Sequence, residues 1–204
     1  MKLNRTAIAL FTPIALLATS AVLSGIGCNQ SSAPVAAQTK MLADAAMPTA
    51  VARISSAGAA ATQPSNQHVA GTVTFTQEKE GVKAIVDLTG LAPGKHGIHI
   101  HQKADISAPD LTSAGGHWDP DGHKQHGGPA SEADKRHAGD LGNLEADASG
   151  KAHYEISIAG VSIGGKNDIV GHSVIVHAKE DDMKSNPAGN AGGRVAGGAI
   201  KRMD

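Results

Sequence analysis

The stretch GTVTFTQEKEGVKAIVDL, residues 71–88, decides the fold. From Thr72 to Thr76 hydroxyl-bearing and apolar residues alternate: Thr72-Val73-Thr74-Phe75-Thr76. Alternation at period two sends successive side chains to opposite faces of an extended strand. Glu80-Gly81 reads as a turn, and Val82 to Leu88 resumes the pattern as a second strand. The same signal recurs at Ile98-His99-Ile100-His101, from Tyr154 to Ile158 and from Val174 to His177, with turns at Ala92-Pro93-Gly94 and Ser149-Gly150. No segment carries the pattern of a long helical crossover. An all-β fold is expected, an antiparallel Greek-key β-sandwich or flattened barrel.

Composition narrows the chemistry. Aromatic residues make up 2% of the 204 residues, so the core must come from Val, Ile, Leu and Ala. A net charge of −1 and the lack of aromatic platforms exclude a nucleic-acid-binding module. The only cysteine, Cys28, excludes an intrachain disulfide framework. Eleven histidines are the outlier.

Ahead of the domain, Lys2 and Arg5 precede an apolar run from Ala7 to Leu23, and small residues lead into Cys28. This pattern reads as an export signal over residues 1–27. Gly27-Cys28 resembles the lipid-attachment site of a bacterial lipoprotein, which implies an exported protein of the periplasm or cell envelope, membrane-anchored through Cys28. Residues 28–65, rich in Ala, Ser, Thr, Gln and Pro, read as a flexible tether with a short helix over Lys40 to Ala46. The folded domain is expected over residues 66–204.

His99 and His101 stand two apart on a strand, so both rings face one way. Such a pair alone is more often a polar strand face than a metal site. The segment from Gln102 to about Leu144 is too long for a hairpin loop. It contains Gly116-His117-Trp118-Asp119-Pro120, His126-Gly127-Gly128-Pro129 and His137-Ala138-Gly139-Asp140-Leu141-Gly142-Asn143. Imidazole suits zinc and copper, and bound metal would order such a loop.

The order of these motifs, continued by Gly171 to His177, Asp181-Asp182 and Gly189-Asn190-Ala191-Gly192-Gly193-Arg194, closely resembles the copper/zinc superoxide dismutase family from about Gly71 to Ile200. The resemblance implies conversion of superoxide to dioxygen and hydrogen peroxide at copper, beside a structural zinc. It implies copper on His99, His101, His117 and His177, and zinc on His117, His126, His137 and Asp140, with His117 as a bridging imidazolate. Asp181 would link His101 to His126 through hydrogen bonds, and Arg194 would attract and bind superoxide beside copper. His96, just before the copper strand, is expected as a supporting or packing group. The resemblance leaves a homodimer open.

Three departures accompany the resemblance. The family's disulfide cysteines are replaced by Leu111 and Gly197, removing a bridge worth about 4–5 kcal/mol in the chain-entropy model. The segment between Asp182 and Arg194 is short and holds one lysine, Lys184, without the usual acidic pair. Ala188 stands where a channel threonine is common. A non-enzymatic copper- and zinc-binding protein of the envelope would share the histidines but would need neither Arg194 nor Asp181. A copper-transfer protein is disfavoured, since the chain has no Cys-x-x-Cys or Met-rich motif.

Overall fold

A computed structural model describes residues 47–58, 68–122 and 125–204. The expected export signal, Cys28, the expected helix over Lys40 to Ala46 and most of the expected tether lie outside the described residues. Eight strands run antiparallel: β1 Thr49–Ser56, β2 Ala70–Glu78, β3 Gly81–Thr89, β4 Gly94–His101, β5 Asp140–Ala146, β6 Ala152–Ala159, β7 Ser173–His177 and β8 Arg194–Met203. They form one sheet in the order β5-β4-β7-β8-β1-β2-β3-β6. The two outer strands approach one another, and the Tyr154 hydroxyl of β6 donates to the Leu141 carbonyl of β5 at 2.9 Å. The sheet is thereby a nearly closed, flattened barrel, which leaves few exposed strand edges.

The alternation in residues 71–88 works as expected. Val73 and Phe75 on β2, and Val82, Ala84, Val86 and Leu88 on β3, are buried in the core, and Val73 pairs with Val86 across the hairpin. Three strands were not anticipated. β1 falls within the expected tether, so residues 49–56 are a correction to its boundaries. Its Ala50, Ala52 and Ile54 point inward while Arg53 and Ser55 stay exposed. Two of the three inward residues are alanines, too small to stand out from an Ala- and Ser-rich surrounding. β5 lies at the end of what reads as one long loop, because Asp140, Gly142 and Asn143 have loop-like composition. β8 carries Gly197 and Gly198 at its centre; a Cβ on Gly198 would collide with the Arg53 carbonyl of β1, so close strand approach explains the glycine.

In β4 both faces are covered. Ile98 and Ile100 join the barrel core, while His99 and His101 are buried beneath the loops. Residues 116–118 and 139 pin the long loop to the end of this strand. Gln102 N–H donates to the Gly116 carbonyl at 3.0 Å, Trp118 N–H to Ile100 at 2.8 Å and Ile100 N–H to Gly139 at 2.9 Å.

A separate small apolar cluster holds the loop's outer arm. Leu111, Ala57, Ala114 and Ile175 are buried together, with Ile106 against them. A Cβ on Gly197 would stand 3.1 Å from Leu111 Cδ1 and 2.7 Å from Ile175 Cδ1. Leucine and glycine therefore fit each other where a side chain at position 197 would overpack. Leu111→Ala is expected to lower unfolding free energy by roughly 2–4 kcal/mol, as for other buried leucines. Denaturant unfolding measures this, and an unchanged midpoint would contradict the anchoring role. With Cys28 as the only cysteine, thiol reductant should leave the wild-type midpoint where it was.

Candidate metal centre

Strand pairing assembles the first set of histidines. β4 pairs with β7, placing His99 opposite Ile175 and His101 opposite Ser173, and a bulge after Gly97 adjusts the strand at His99. His177 ends β7 and faces Arg194 at the start of β8. His117 forms an isolated bridge with His101. Each of these four rings has one nitrogen held by the protein. His99 Nε2 lies 2.8 Å from Asp181 Oδ2, His101 Nδ1 3.0 Å from the Gly115 carbonyl, His177 Nδ1 3.1 Å from the Gly192 carbonyl and His117 Nδ1 2.7 Å from Asp140 Oδ1. The other nitrogen of each, His99 Nδ1, His101 Nε2, His117 Nε2 and His177 Nε2, is buried with no hydrogen-bond partner. Buried polar atoms without partners are costly, so four in one place demand an explanation. Each of these residues offers a donor atom within 4.8 Å of the others'.

A second set surrounds Asp140. Its Oδ1 lies 2.7 Å from His117 Nδ1, 3.0 Å from His126 Nδ1 and 3.3 Å from His137 Nδ1, while Gly127 N–H donates to Oδ2 at 3.0 Å. Three nitrogens and one oxygen crowd together in the donor set of a closed zinc site. His117 belongs to both groups, with Nδ1 in one and Nε2 in the other.

Asp181 joins the groups from outside. Its Oδ2 accepts from His99 Nε2 and its Oδ1 from His126 Nε2, each at 2.8 Å. The expected link from Asp181 to His101 is thus corrected to His99. His101 faces away, toward the Gly115 carbonyl. Asn143 clamps the Asp181 backbone, its side chain accepting from Asp181 N–H at 2.8 Å and donating to the Asp181 carbonyl at 2.9 Å. Gly189, at φ +62, passes so close that a Cβ would collide with the Asp181 carboxylate and stand 2.6 Å from His126 Nε2. Only glycine combines that backbone conformation with that approach.

Burial and charge set the protonation states. Burial drives His99 down to about 3 against the opposing pull of Asp181, drives His177 down to about 4, and lowers His101 and His117 as well. All four are neutral near pH 7 and have lone pairs to offer a metal. For His126 burial works the other way from its two carboxylate neighbours, and hydrogen bonds to Asp140 and Asp181 carry it up to about 9. Burial alone would raise Asp140 and Asp181, yet their histidine partners hold both far below the usual carboxylate range.

Arg194 is half-buried beside this centre. Its Nη1 donates to the Leu111 carbonyl and its Nη2 to the Gly115 carbonyl, each at 2.6 Å. The Gly115 carbonyl also receives His101, so one backbone group orients both. The sequence reading missed this carbonyl, which no side-chain pattern marks. It also passed over Arg136, buried next to His137, whose Nη1 donates to the carbonyls of His137 at 3.1 Å and Asp140 at 2.9 Å. Its place beside a ligand-like histidine was the available signal. His96 ties the strand start to the site, lying 2.8 Å from both the His177 and Ala92 carbonyls.

Comparison with known proteins gives consistent matches. A family model described as copper/zinc superoxide dismutase (SODC) matches residues 69–200. The protein named extracellular superoxide dismutase [Cu-Zn] from Brugia pahangi is 42% identical over 144 residues, covering 66% of this chain and 70% of that protein. One of the same name from Drosophila melanogaster is 44% identical over 146 residues, covering 68% and 78%. Superoxide dismutase [Cu-Zn] from Onchocerca volvulus is 43% identical over 143 residues, covering 65% and 88%. A crystal structure titled as that of the clock protein EA4 aligns with TM-score 0.63 and 35% identity, over 76% of this chain and 94% of that one.

Proposed function

The chain belongs to the copper/zinc superoxide dismutase family, and from that membership we propose how its own residues divide the work. The enzyme converts superoxide to dioxygen and hydrogen peroxide, with copper and zinc as cofactors. Copper belongs to the all-nitrogen set of His99, His101, His117 and His177; tetragonal copper(II) favours such donors. Zinc belongs to His117, His126, His137 and Asp140, which leave no open position for substrate. When bound, copper supplies the one-electron chemistry, oxidising one superoxide and reducing the next.

The observation that carries this division is the set of four buried imidazole nitrogens without partners. His117 holds the two sets together, and its Nε2 is a place for a proton that peroxide formation consumes. Asp181 fixes the ring orientation of one histidine from each set, as carboxylates commonly do around ligand histidines. Arg194, oriented by two carbonyls, presents a guanidinium that draws the anionic substrate to the copper side. Metal analysis of site variants tests the division. His101→Ala should lose mainly copper and Asp140→Ala mainly zinc, with roughly tenfold or greater loss of affinity for the metal concerned. Equal, interchangeable losses of both metals in these two variants would overturn it.

Cys28 is the lipidated mature N-terminus of an exported protein, tethered to a membrane through the chain that precedes β1. Export is in keeping with the two relatives named extracellular, and the apolar run ending in Gly27-Cys28 motivates the anchor. Detergent partitioning should place the wild type in the detergent phase and Cys28→Ala in the aqueous phase. Aqueous partitioning of both would refute the anchor.

A further inference from the structure

Met183 follows Asp181 and Asp182 in the chain, and its side chain lies along the two backbone segments that carry His126 and Asp140. Its backbone adopts a left-handed φ of 59°, and its N–H donates to Asp181 Oδ1 at 2.6 Å, the oxygen that also accepts from His126. The side chain lies along Gly128, two residues beyond His126. A Cβ on Gly128 would stand 2.7 Å from Met183 Sδ, 3.0 Å from its Cβ and 3.1 Å from its Cγ. The terminal methyl reaches Gly142, two residues beyond Asp140, where a Cβ would be 3.4 Å away. One thioether therefore packs together the backbones that carry His126, Asp140 and Asp181. At the same time Met183 is 39% exposed.

We propose that Met183 is a peroxide-sensitive modification site whose oxidation to the sulfoxide loosens the zinc set. The oxidant is hydrogen peroxide, the product of the enzyme's own reaction. The thioether sulfur attacks one peroxide oxygen, the O–O bond breaks, and a sulfoxide and one water result; sulfur is oxidised by two electrons and peroxide is reduced. The change turns an apolar contact into a polar group that seeks water. Gly128 leaves the sulfur no space on its packed side, so the sulfoxide oxygen must turn outward and draw the side chain off its glycine bed. Met47 and Met203 are more exposed, at 50% and 49%. They flank the β1–β8 pairing near Thr49 and Met203 itself, at the far end of β8 from Arg194, and serve as internal references. The inference rests on the assignment of zinc to His117, His126, His137 and Asp140.

The test uses fully metallated protein treated with hydrogen peroxide. Peptide mass spectrometry follows each methionine, and a chromogenic chelator follows the rate of zinc release. Oxidation at Met183 should accelerate zinc release several-fold, and methionine sulfoxide reductase should restore slow release. Met183→Leu, which keeps an apolar side chain of similar volume, should stay slow after the same treatment. That variant also reports any peroxide damage to histidines, which it shares with wild type. Complete sulfoxide formation at Met183 with unchanged zinc release would overturn the inference, as would Met183 staying reduced while Met47 and Met203 convert. Equal acceleration in wild type and Met183→Leu would likewise overturn it. Wild type that binds no zinc would instead overturn the site assignment, and the inference with it.

Discussion

Removing both metals with a chelator should lower the melting temperature by roughly 20 °C. Ligands that bind only the native state add their binding free energy to folding, and structural zinc sites in small domains contribute on the order of 10 kcal/mol. This site is partly pre-assembled by the barrel, so about 5–10 kcal/mol is the appropriate range. In a domain of this size each kcal/mol shifts the midpoint by about 2–4 °C. The residues explain why the dependence is large. Four buried imidazole nitrogens have no protein partner, and the arms carrying His117, His126 and His137 meet at Asp140. A shift of only a few degrees in protein shown to lose both metals would rule out this contribution of the metals to folding.

The metal-free protein should also be acid-labile in a definite window. His99 and His177 are depressed from an ordinary value of 6.5 to about 3 and about 4. Below 6.5 the unfolded chain takes up protons that these buried rings refuse, so stability falls as pH drops from 6.5 toward 3. Asp140 and Asp181, depressed by their partners, add a second loss as pH falls below the ordinary carboxylate value. His126 works in the opposite sense: its contribution is complete below 6.5 and is lost as pH rises through about 9. Denaturant unfolding of metal-free protein across this range checks both limbs.

Arg194→Glu should retain both metals and lose activity by roughly thirtyfold or more. Exchanging a positive for a negative group near an anion changes the interaction by about 2 kcal/mol even in a solvent-like medium. The guanidinium makes two hydrogen bonds, to the Leu111 and Gly115 carbonyls, which a carboxylate cannot donate. The gap between variant and wild type should narrow as salt rises, because mobile ions screen charge over about 10 Å at 0.1 M. Arg194→Lys should fall between them, keeping the charge without the rigid fork. Full activity in a metal-replete Arg194→Glu protein would refute the role.

The residues differ in how openly the sequence displayed them. β2, β3, β4 and β6 are legible because Val, Ile, Leu and Phe alternate with polar residues against a barrel core, and β7 because Val174-Ile175-Val176 is a short β-branched run buried on both faces. β1 and β8 are not, since apart from Ile54 and Ile200 their inward positions are Ala and Gly, small enough for close strand approach but silent as hydrophobic signals. At the centre, the histidines and Asp140 stand out by type and spacing, and the structure brings all of them together with Asp181 and Arg194. Part of what binds them to the protein is backbone: the carbonyls of Gly115 and Gly192 and the N–H of Gly127. Backbone groups are present at every position, so only the folded chain reveals which are used. The Asp181 link, taken from the family resemblance, went to the wrong one of two histidines. Side chains on one strand face share a direction, but that does not decide which ring of His99 and His101 meets a distant carboxylate.

On the proposed division, His117 should serve both metals through one ring. Its Nδ1 sits in the Asp140 group and its Nε2 among the unpartnered nitrogens. A single imidazole can present a lone pair at each nitrogen only when deprotonated, a state that two divalent cations stabilise. Cobalt(II) placed in the zinc position, with copper(II) in its own, gives a direct magnetic test. Spin coupling between the two ions is expected in wild type, and it should disappear in His117→Ala even where both ions stay bound. Uncoupled spins in fully loaded wild-type protein would contradict the bridge.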